Sequence, residues 1–544
     1  MSGDKYVRGM WIASGAKEWT AGSVGDSERV VWFDSSSSRI DDTSFSTVNA
    51  GGFRPVVCLQ SGLGLEKQDD GTYHLVEDVR TGKITFGEPI WEGDNASVTV
   101  STDTTFQIEY QINTVDEGSW TSIANNGTIL NLKDGDTVYA RLTDGANHGE
   151  YASLNIKKEV AGTSYDADTD IEIGGYPVTI PGGATISKIP GEYESIEDGL
   201  VIYITNGEKI TNWSDTTTIQ EKYDQFVWIP VDKESAIIEE GKEITGSTNT
   251  EKYNSLKTYV SSIESPVSGP SKYPMAVKKS DGTYSGILYN FSKKDEAVTV
   301  TPLDYTTTSG YKEPAVLNEK NYAFDEDYGI TESSLQEEYK IMIERVAEKG
   351  GFWVGRYETS NMNSSDFTTN AVNVVRGTTN GINNVIWYQM YEGQKEYKNS
   401  EQNTSLKNSA TTSSMIWGSQ LDQIMIWMRG IENQNQNQNS YYVLNSFGMG
   451  NYGTEDSDTN TSKPVTTGKR EEYKVKNVYD LAGNVYDSTL EVDNTSYTDG
   501  IYGRVNRGGY YNEKMYGYAS ASGRNYGLES DIKKVDTGSR LTLY

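Results

Sequence analysis

The sequence predicts an α+β chain, with a β-rich N-terminal part followed by a larger domain in which a few helices pack on strands. Three observations carry this expectation. Residues 82–158 alternate apolar and polar side chains with period two, and turn dipeptides break the runs. Helical periodicity is confined to a stretch between residues 330 and 430. Gly, Asn, Ser and Thr are abundant while helix formers are sparse, a composition suited to short strands and many turns. At 544 residues the chain exceeds one ordinary core, so several domains are expected.

Charge and rare residues narrow the function classes. The formal net charge is −30, and an acidic surface repels phosphate backbones and anionic bilayers. Nucleic acid is therefore not an expected partner, nor is an anionic membrane surface. No run of apolar residues is long enough to span a bilayer, so membrane insertion is not expected. The one cysteine, Cys58, lies in "RPVVCLQ" and reads as a buried strand residue, so no internal disulfide forms. The two histidines are His74 and His148. Most metal and acid–base sites at neutral pH use His or Cys, so their scarcity argues against catalysis. Few cysteines, acidic charge and many Asn, Thr and Tyr are common in secreted or surface proteins of Gram-positive bacteria. An extracellular or cell-surface location is expected on that association. "MSGDKYVRGMWIASG" holds no signal peptide, and reading 1–65 as a partial domain makes an export signal upstream of Met1 an expectation.

Taken in order, the first segment is 1–65. Its Arg8-Gly9 precede Trp11, and Gly51-Gly52-Phe53 precede Arg54. The C-terminus repeats that spacing: Arg507-Gly508-Gly509 precede Tyr510, and Gly538-Ser539 precede Arg540. Residues 1–65 therefore read as the closing part of a domain like the C-terminal one. Residues 66–81 read as a connector containing a strand. Residues 82–158 read as a small β-sandwich with turns at Asn126-Gly127, Asp134-Gly135 and Asp144-Gly145. Residues 159–180 read as a linker. Its Asp166-x-Asp168-x-Asp170 has the spacing of a calcium loop, but Ile171 and Pro177 stand where Gly and Glu are required, so an EF-hand is rejected. Asp456-x-Asp458-x-Asn460 fails in the same way, with Thr461 and Thr467.

The large domain is expected over 170–544. "YDQFVWIPV" (223–231) reads as a strand. Ser334-x-x-Glu337 reads as a capping box opening a helix with Leu335, Tyr339, Met342, Ile343 and Val346 on one face, closed by Gly350-Gly351. "GGFWVGRYETS" returns as a strand, and "IWYQMYEGQKEY" forms a second helix. A third starts near Ser419, places Leu421, Ile424, Met425 and Met428 on one stripe and stops at Gly430. "NQNQNQN" (433–439) reads as a flexible loop.

The anchors "FVWIPV", "GGFWVGRYETS", "YDLAGNVYD", "RVNRGGYY" and "TGSRLTLY", in this order, resemble the formylglycine-generating-enzyme-like (sulfatase-modifying-factor) family over about 220–544. The resemblance implies a C-type-lectin-like fold, with a related partial lectin-like segment at 1–65. The stretch "NLKDGDTVYARLTDG" resembles bacterial Ig-like repeats, which implies a spacer role for 82–158. The family's copper-binding cysteines, aligned from Arg507, fall on Glu513 and Tyr518, which supply no thiolate. Its iron-dependent branch uses histidines, and 149–544 contains none. Neither oxidation is expected. A carboxylate pair of glycosidase type stays open among 78 acidic residues.

What remains is binding. Gly483, Asn484, Arg507, Gly508, Gly509 and Arg540 read as frame elements, with Arg507 and Arg540 pairing to buried acceptors such as Asp480 or Asp487. Tyr510, Tyr511, Tyr516, Tyr518 and Tyr526, with Arg524, lie among Gly, Ser and Asn. That is the composition of a binding surface, with rigid rings beside adaptable polar groups. The expected partner is a glycan or a protein surface. The alternatives are an enzyme using neither Cys nor His and a structural part of a surface array. No cofactor is expected, and structural calcium, present in some relatives, is left open.

Overall fold

The computed structural model describes residues 17–20, 29–34, 39–44, 51–53, 63–67, 69 and 73–544, apart from 93–94, 158–159, 265, 296, 318–324, 363, 378–384, 432–440, 453–462, 496–502, 513–519, 529–532 and 534–535. The chain divides into two compact units, Met1–Glu159 and Val160–Tyr544.

The first unit is all β among its described residues, apart from one short 3-10 turn. Its N-terminal sheet has the order Arg39–Ser44, Arg29–Asp34, Lys17–Thr20, Gly51–Phe53, and only the last pair is parallel. The connector forms a hairpin, Leu63–Lys67 against Tyr73–Glu77. Beyond it lie two four-stranded sheets. One is built on Gln107–Ile112 and Thr137–Thr143, the other on Asn95–Thr102 and Gly127–Leu132. Val98, Val100, Ile129 and Leu132 of the second join Ile108, Val138, Ala140 and Leu142 of the first in one core. This is the sandwich that the alternation predicts, because period two sends every second side chain to the shared face.

The second unit opens on a hairpin, Thr169–Ile173 against Tyr176–Ile180. This corrects the linker reading of 159–180: Ile173, Val178 and Ile180 are buried in the core of the second unit. Two of the three acids in that stretch, Asp168 and Asp170, are engaged internally, while Asp166 is exposed. Asp168 accepts from the backbone N–H groups of Gly182, Ala410 and Thr411, and Asp170 accepts from Thr179 and faces Lys349.

The core of this unit is a six-stranded sheet in the order Ala184–Ile186, Val201–Ile204, Asp224–Pro230, Gly351–Gly355, Leu541–Leu543, Ser413–Met415. Trp228 and Trp353 sit opposite each other on the two central strands, with ring centroids 5.0 Å apart. Both expected apolar strands are therefore buried centre strands. Three helices appear where periodicity placed them: Glu332–Lys349, Trp387–Glu396 and Gly418–Met428. The first begins earlier than expected. Thr331 is the cap and Ser334 closes the box, because Thr331 Oγ1 accepts from Ser334 N. Gly350 ends it in the left-handed conformation, φ 81°. Two polar helices, Thr216–Lys222 and Asn249–Ser261, were not anticipated. The second buries only Leu256 and Val260 and leaves no apolar stripe to read.

A second large sheet holds Tyr311–Lys312, Tyr486–Asp493, Gly503–Arg507 and Arg524–Leu528, with Thr537–Ser539 parallel to Tyr486–Ser488. Arg540 alone separates this sheet's last strand from Leu541–Leu543 of the six-stranded sheet. The architecture is α+β. Among the described residues no helix is long and apolar enough to cross a membrane.

Candidate functional site

The C-terminal sheet is held from inside by ions. Arg507 Nη2 lies 2.7 Å from Asp422 Oδ1, and its Nη1 lies 3.2 Å from Glu491 Oε2. Arg524 engages the other oxygen of each acid, Asp422 Oδ2 at 2.5 Å and Glu491 Oε1 at 2.8 Å. Two guanidinium groups and two carboxylates thus close a ring, in which the most exposed side chain is Arg524 at 8%. Burying such charges unpaired would cost several kcal/mol each, so the ring fixes which strands and helix meet. Asp422 comes from the helix Gly418–Met428, whose eleven residues are all buried.

Glu313 lies against this ring. Its Oε1 accepts from Ser419 N at 2.8 Å, while Oε2 is buried without a partner. Burial, with Glu491 and Asp422 nearby, pushes its carboxyl up to about 8. At neutral pH it is therefore largely protonated, and the ring's two positive and two negative charges balance. Gly418 makes room for both acids. A Cβ there would lie 2.5 Å from Glu491 Oε2 and 3.0 Å from Glu313 Oε2.

A second buried cluster supports the Gly-Asn turn. Arg540 Nε lies 2.8 Å from Asp487 Oδ2, and Arg540 Nη2 donates to Tyr479 O at 2.6 Å. Asp480 Oδ2 accepts from Thr467 Oγ1 at 2.9 Å and Gly468 N at 2.7 Å. Glu358 Oε2 accepts from Asn484 Nδ2 at 2.6 Å. Burial drives all three carboxyls upward, that of Glu358 furthest. Asp480 Oδ1 and Asp487 Oδ1 have no partner. Three acids face one guanidinium, so protons or a cation must offset the difference.

The frame residues behave as frame. Asn484, at φ 65°, accepts from Val465 N at 2.8 Å and Asn451 Nδ2 at 3.2 Å, and it donates to Glu358. Gly483 and Gly508 hold φ 78° and 85°, and a Cβ at Gly508 would meet Leu481 O at 2.6 Å. Gly509 is also left-handed, φ 75°. Arg540 pairs with Asp487 as anticipated. Arg507 does not pair with Asp480 or Asp487, because its head points to Asp422 and Glu491 instead.

Over this frame lies an aromatic patch. Tyr511 N donates to Asn484 O at 3.0 Å. The Tyr510 ring lies 4.7 Å from that of Tyr486 at 30°, and 5.3 Å from that of Tyr511 at 74°. All three side chains are half-buried. Tyr486 was not singled out by sequence reasoning, although its place beside Asp487 in "GNVYD" was visible. Arg524, expected to face a ligand, is an internal counter-ion. Tyr516 and Tyr518 lie outside the described residues, and Tyr526 is placed only as part of the strand Arg524–Leu528. Asp422, Glu491, Glu313 and Glu358 were also missed. The one signal for Asp422 was a carboxylate within the apolar run "LDQIMIWM".

The chemistry available here is limited. The second unit contains neither His nor Cys, and the carboxylates of both clusters are sealed from solvent. Among the described residues no group of three or more His, Cys, Asp or Glu side chains could hold a metal ion. Asp480 Oδ1 and Asp487 Oδ1 are two orphan carboxylate oxygens, whereas calcium takes six to eight oxygen ligands. No protein-family model matches the chain, and no curated protein matches it.

Proposed function

We propose that the chain is a non-catalytic, surface-displayed binding protein whose second unit is a lectin-like domain gripping a glycan or a protein surface through the tyrosines around 510–526. The observation that carries this reading is the Tyr486–Tyr510–Tyr511 patch. Three rings at mixed angles, each half-buried, sit on a turn that two buried ion clusters hold rigid. Rings fixed at their base lose little entropy on binding, and each presents an apolar face with a polar tip. A sugar would stack on these faces, while a protein would bury them as anchors. The sandwich of the first unit serves as an Ig-like spacer in this reading, and the acidic surface keeps nucleic acid away.

The test is a glycan and protein array probed with the full chain and with Tyr510→Ala and Tyr511→Ala. The wild-type chain is expected to bind at least one array member, and each substitution to weaken that binding about tenfold. An array that stays silent toward the wild-type chain refutes the proposal.

A further inference from the structure

The turn at Asn126-Gly127 carries the chain from one sheet of the sandwich to the other. It is closed by Gly127 N, which donates to Ala124 O at 2.8 Å. Of its two central residues only Asn126 is left-handed, φ 64°, the place in a type II turn that favours Gly or Asn. Packing demands the glycine that follows. A Cβ at Gly127 would lie 2.5 Å from Ile123 Cγ1 and 2.7 Å from Ala124 O. Sterics therefore select Asn followed by Gly at this point of the fold. The same sterics leave the pair chemically open. The Asn126 side chain is exposed and, among the described residues, has no hydrogen-bond partner. Its neighbour Asn125 braces the turn instead: Oδ1 accepts from Thr102 N and Nδ2 donates to Thr102 O, both at 2.9 Å.

Another Asn-Gly pair, Asn206-Gly207 in the second unit, supplies the comparison. Asn206 is also left-handed, φ 50°. Its amide, however, is tied at both ends. Nδ2 donates to Gln402 O at 3.1 Å, and Oδ1 accepts from Ser405 N at 3.3 Å. Its main-chain N–H donates to Gly183 O at 2.9 Å. The two pairs share the hand of the backbone and the following glycine, so tethering of the amide is what separates them.

We propose that Asn126-Gly127 is a site of spontaneous backbone modification, and that tethering protects Asn206-Gly207 from the same reaction. A glycine N–H has no side chain beside it to block approach. Once the bond from Gly127 to Ala124 opens, Gly127 N gives up its proton to solvent base and attacks Asn126 Cγ. The Cγ–Nδ2 bond breaks, and Nδ2 leaves as ammonia with a proton taken from water. A five-membered imide remains, and a water molecule opens it. Cleavage at Cγ gives aspartate. Cleavage at the main-chain carbonyl of residue 126 gives isoaspartate, with the chain now running through the former side chain. Either product adds a negative charge. Isoaspartate also lengthens the main chain by a carbon atom just before Gly127–Leu132, the strand that carries Ile129 and Leu132 into the sandwich core. Releasing one turn bond at an exposed loop is a local opening of low cost. At Asn206 the side-chain bonds must also break before Cγ can reach Gly207 N.

The test incubates the full chain in mildly alkaline buffer, native and in urea, and follows deamidation at each pair by peptide mapping with mass spectrometry. Each pair in urea is its own reference. Native Asn126 is expected to convert within about tenfold of its urea rate, and native Asn206 at least about 100-fold more slowly than its own. Isoaspartate-specific methylation is expected to label the product at 126. Native Asn126 protected as strongly as native Asn206 would overturn the proposal. So would a product at 126 that holds aspartate alone, because direct hydrolysis rather than an imide would then be the route.

Discussion

Replacing Glu313 by Gln should stabilise the second unit at neutral pH, and the effect should vanish in acid. The carboxyl titrates near 4.5 when unfolded and near 8 when folded. Between those values the folded state holds a proton that the unfolded state has released, so stability falls as pH rises. The slope is about 1.4 kcal/mol per pH unit, which removes about 3 kcal/mol between pH 4.5 and pH 7 and about 5 kcal/mol by pH 8. Gln is the permanent counterpart of the protonated acid. Its oxygen keeps the bond from Ser419 N, and its amide faces Glu491 where Oε2 had no partner. The assay is urea unfolding of both proteins at pH 5, 6, 7 and 8, followed by tryptophan fluorescence. Other buried acids titrate in the same direction, among them Asp224, which burial pushes up to about 6. They contribute equally to both proteins, so the difference curve isolates Glu313. The expected difference grows with pH and reaches about 3 kcal/mol near pH 7. A flat difference curve, or a variant less stable than wild type at pH 7, would refute the assignment of Glu313 as the ring's neutral acid.

Other outcomes follow from the same geometry. Arg540→Met keeps the side-chain stem but leaves Asp487, Asp480 and Glu358 without their guanidinium, and urea unfolding is expected to show a loss of about 3–5 kcal/mol. Gly508→Ala combines a left-handed φ with a 2.6 Å approach to Leu481 O, so it is expected to lower stability by at least about 2 kcal/mol. Gly135→Ala, with φ 88° and open space around its Cβ, should cost only about 1 kcal/mol in the first unit.

Periodicity made the backbone of the fold readable. "FVWIP" and "GFWVG" are apolar throughout, and both became centre strands. The helix stripe Leu335, Tyr339, Met342, Ile343 and Val346 is buried as spaced. The helix Asn249–Ser261 escaped because capping rather than an apolar face defines it, and Thr248 with Glu251 was its only local mark. The hairpin at 169–180 escaped because a run of Asp and Gly reads as solvated, although Val178 and Ile180 alternate toward the core. At the site, glycine and asparagine turns were legible because left-handed backbone narrows the choice of residue. The ion partners were not, since Arg507 meets Asp422 across 85 positions of sequence and no local pattern carries such a pairing. Arg524 illustrates the same limit: its neighbours in sequence suggested an outward role, and its distant partners drew it inward.

The closed ring of Arg507, Arg524, Asp422 and Glu491 has an evolutionary corollary. Its recognition is directional and entirely internal, so a strand out of register or a helix turned by one residue would strand a charge in oil. Fold identity is thereby written where solvent never reaches. The outer turns are released from specifying the architecture, and mutation can rewrite them without the scaffold losing its shape.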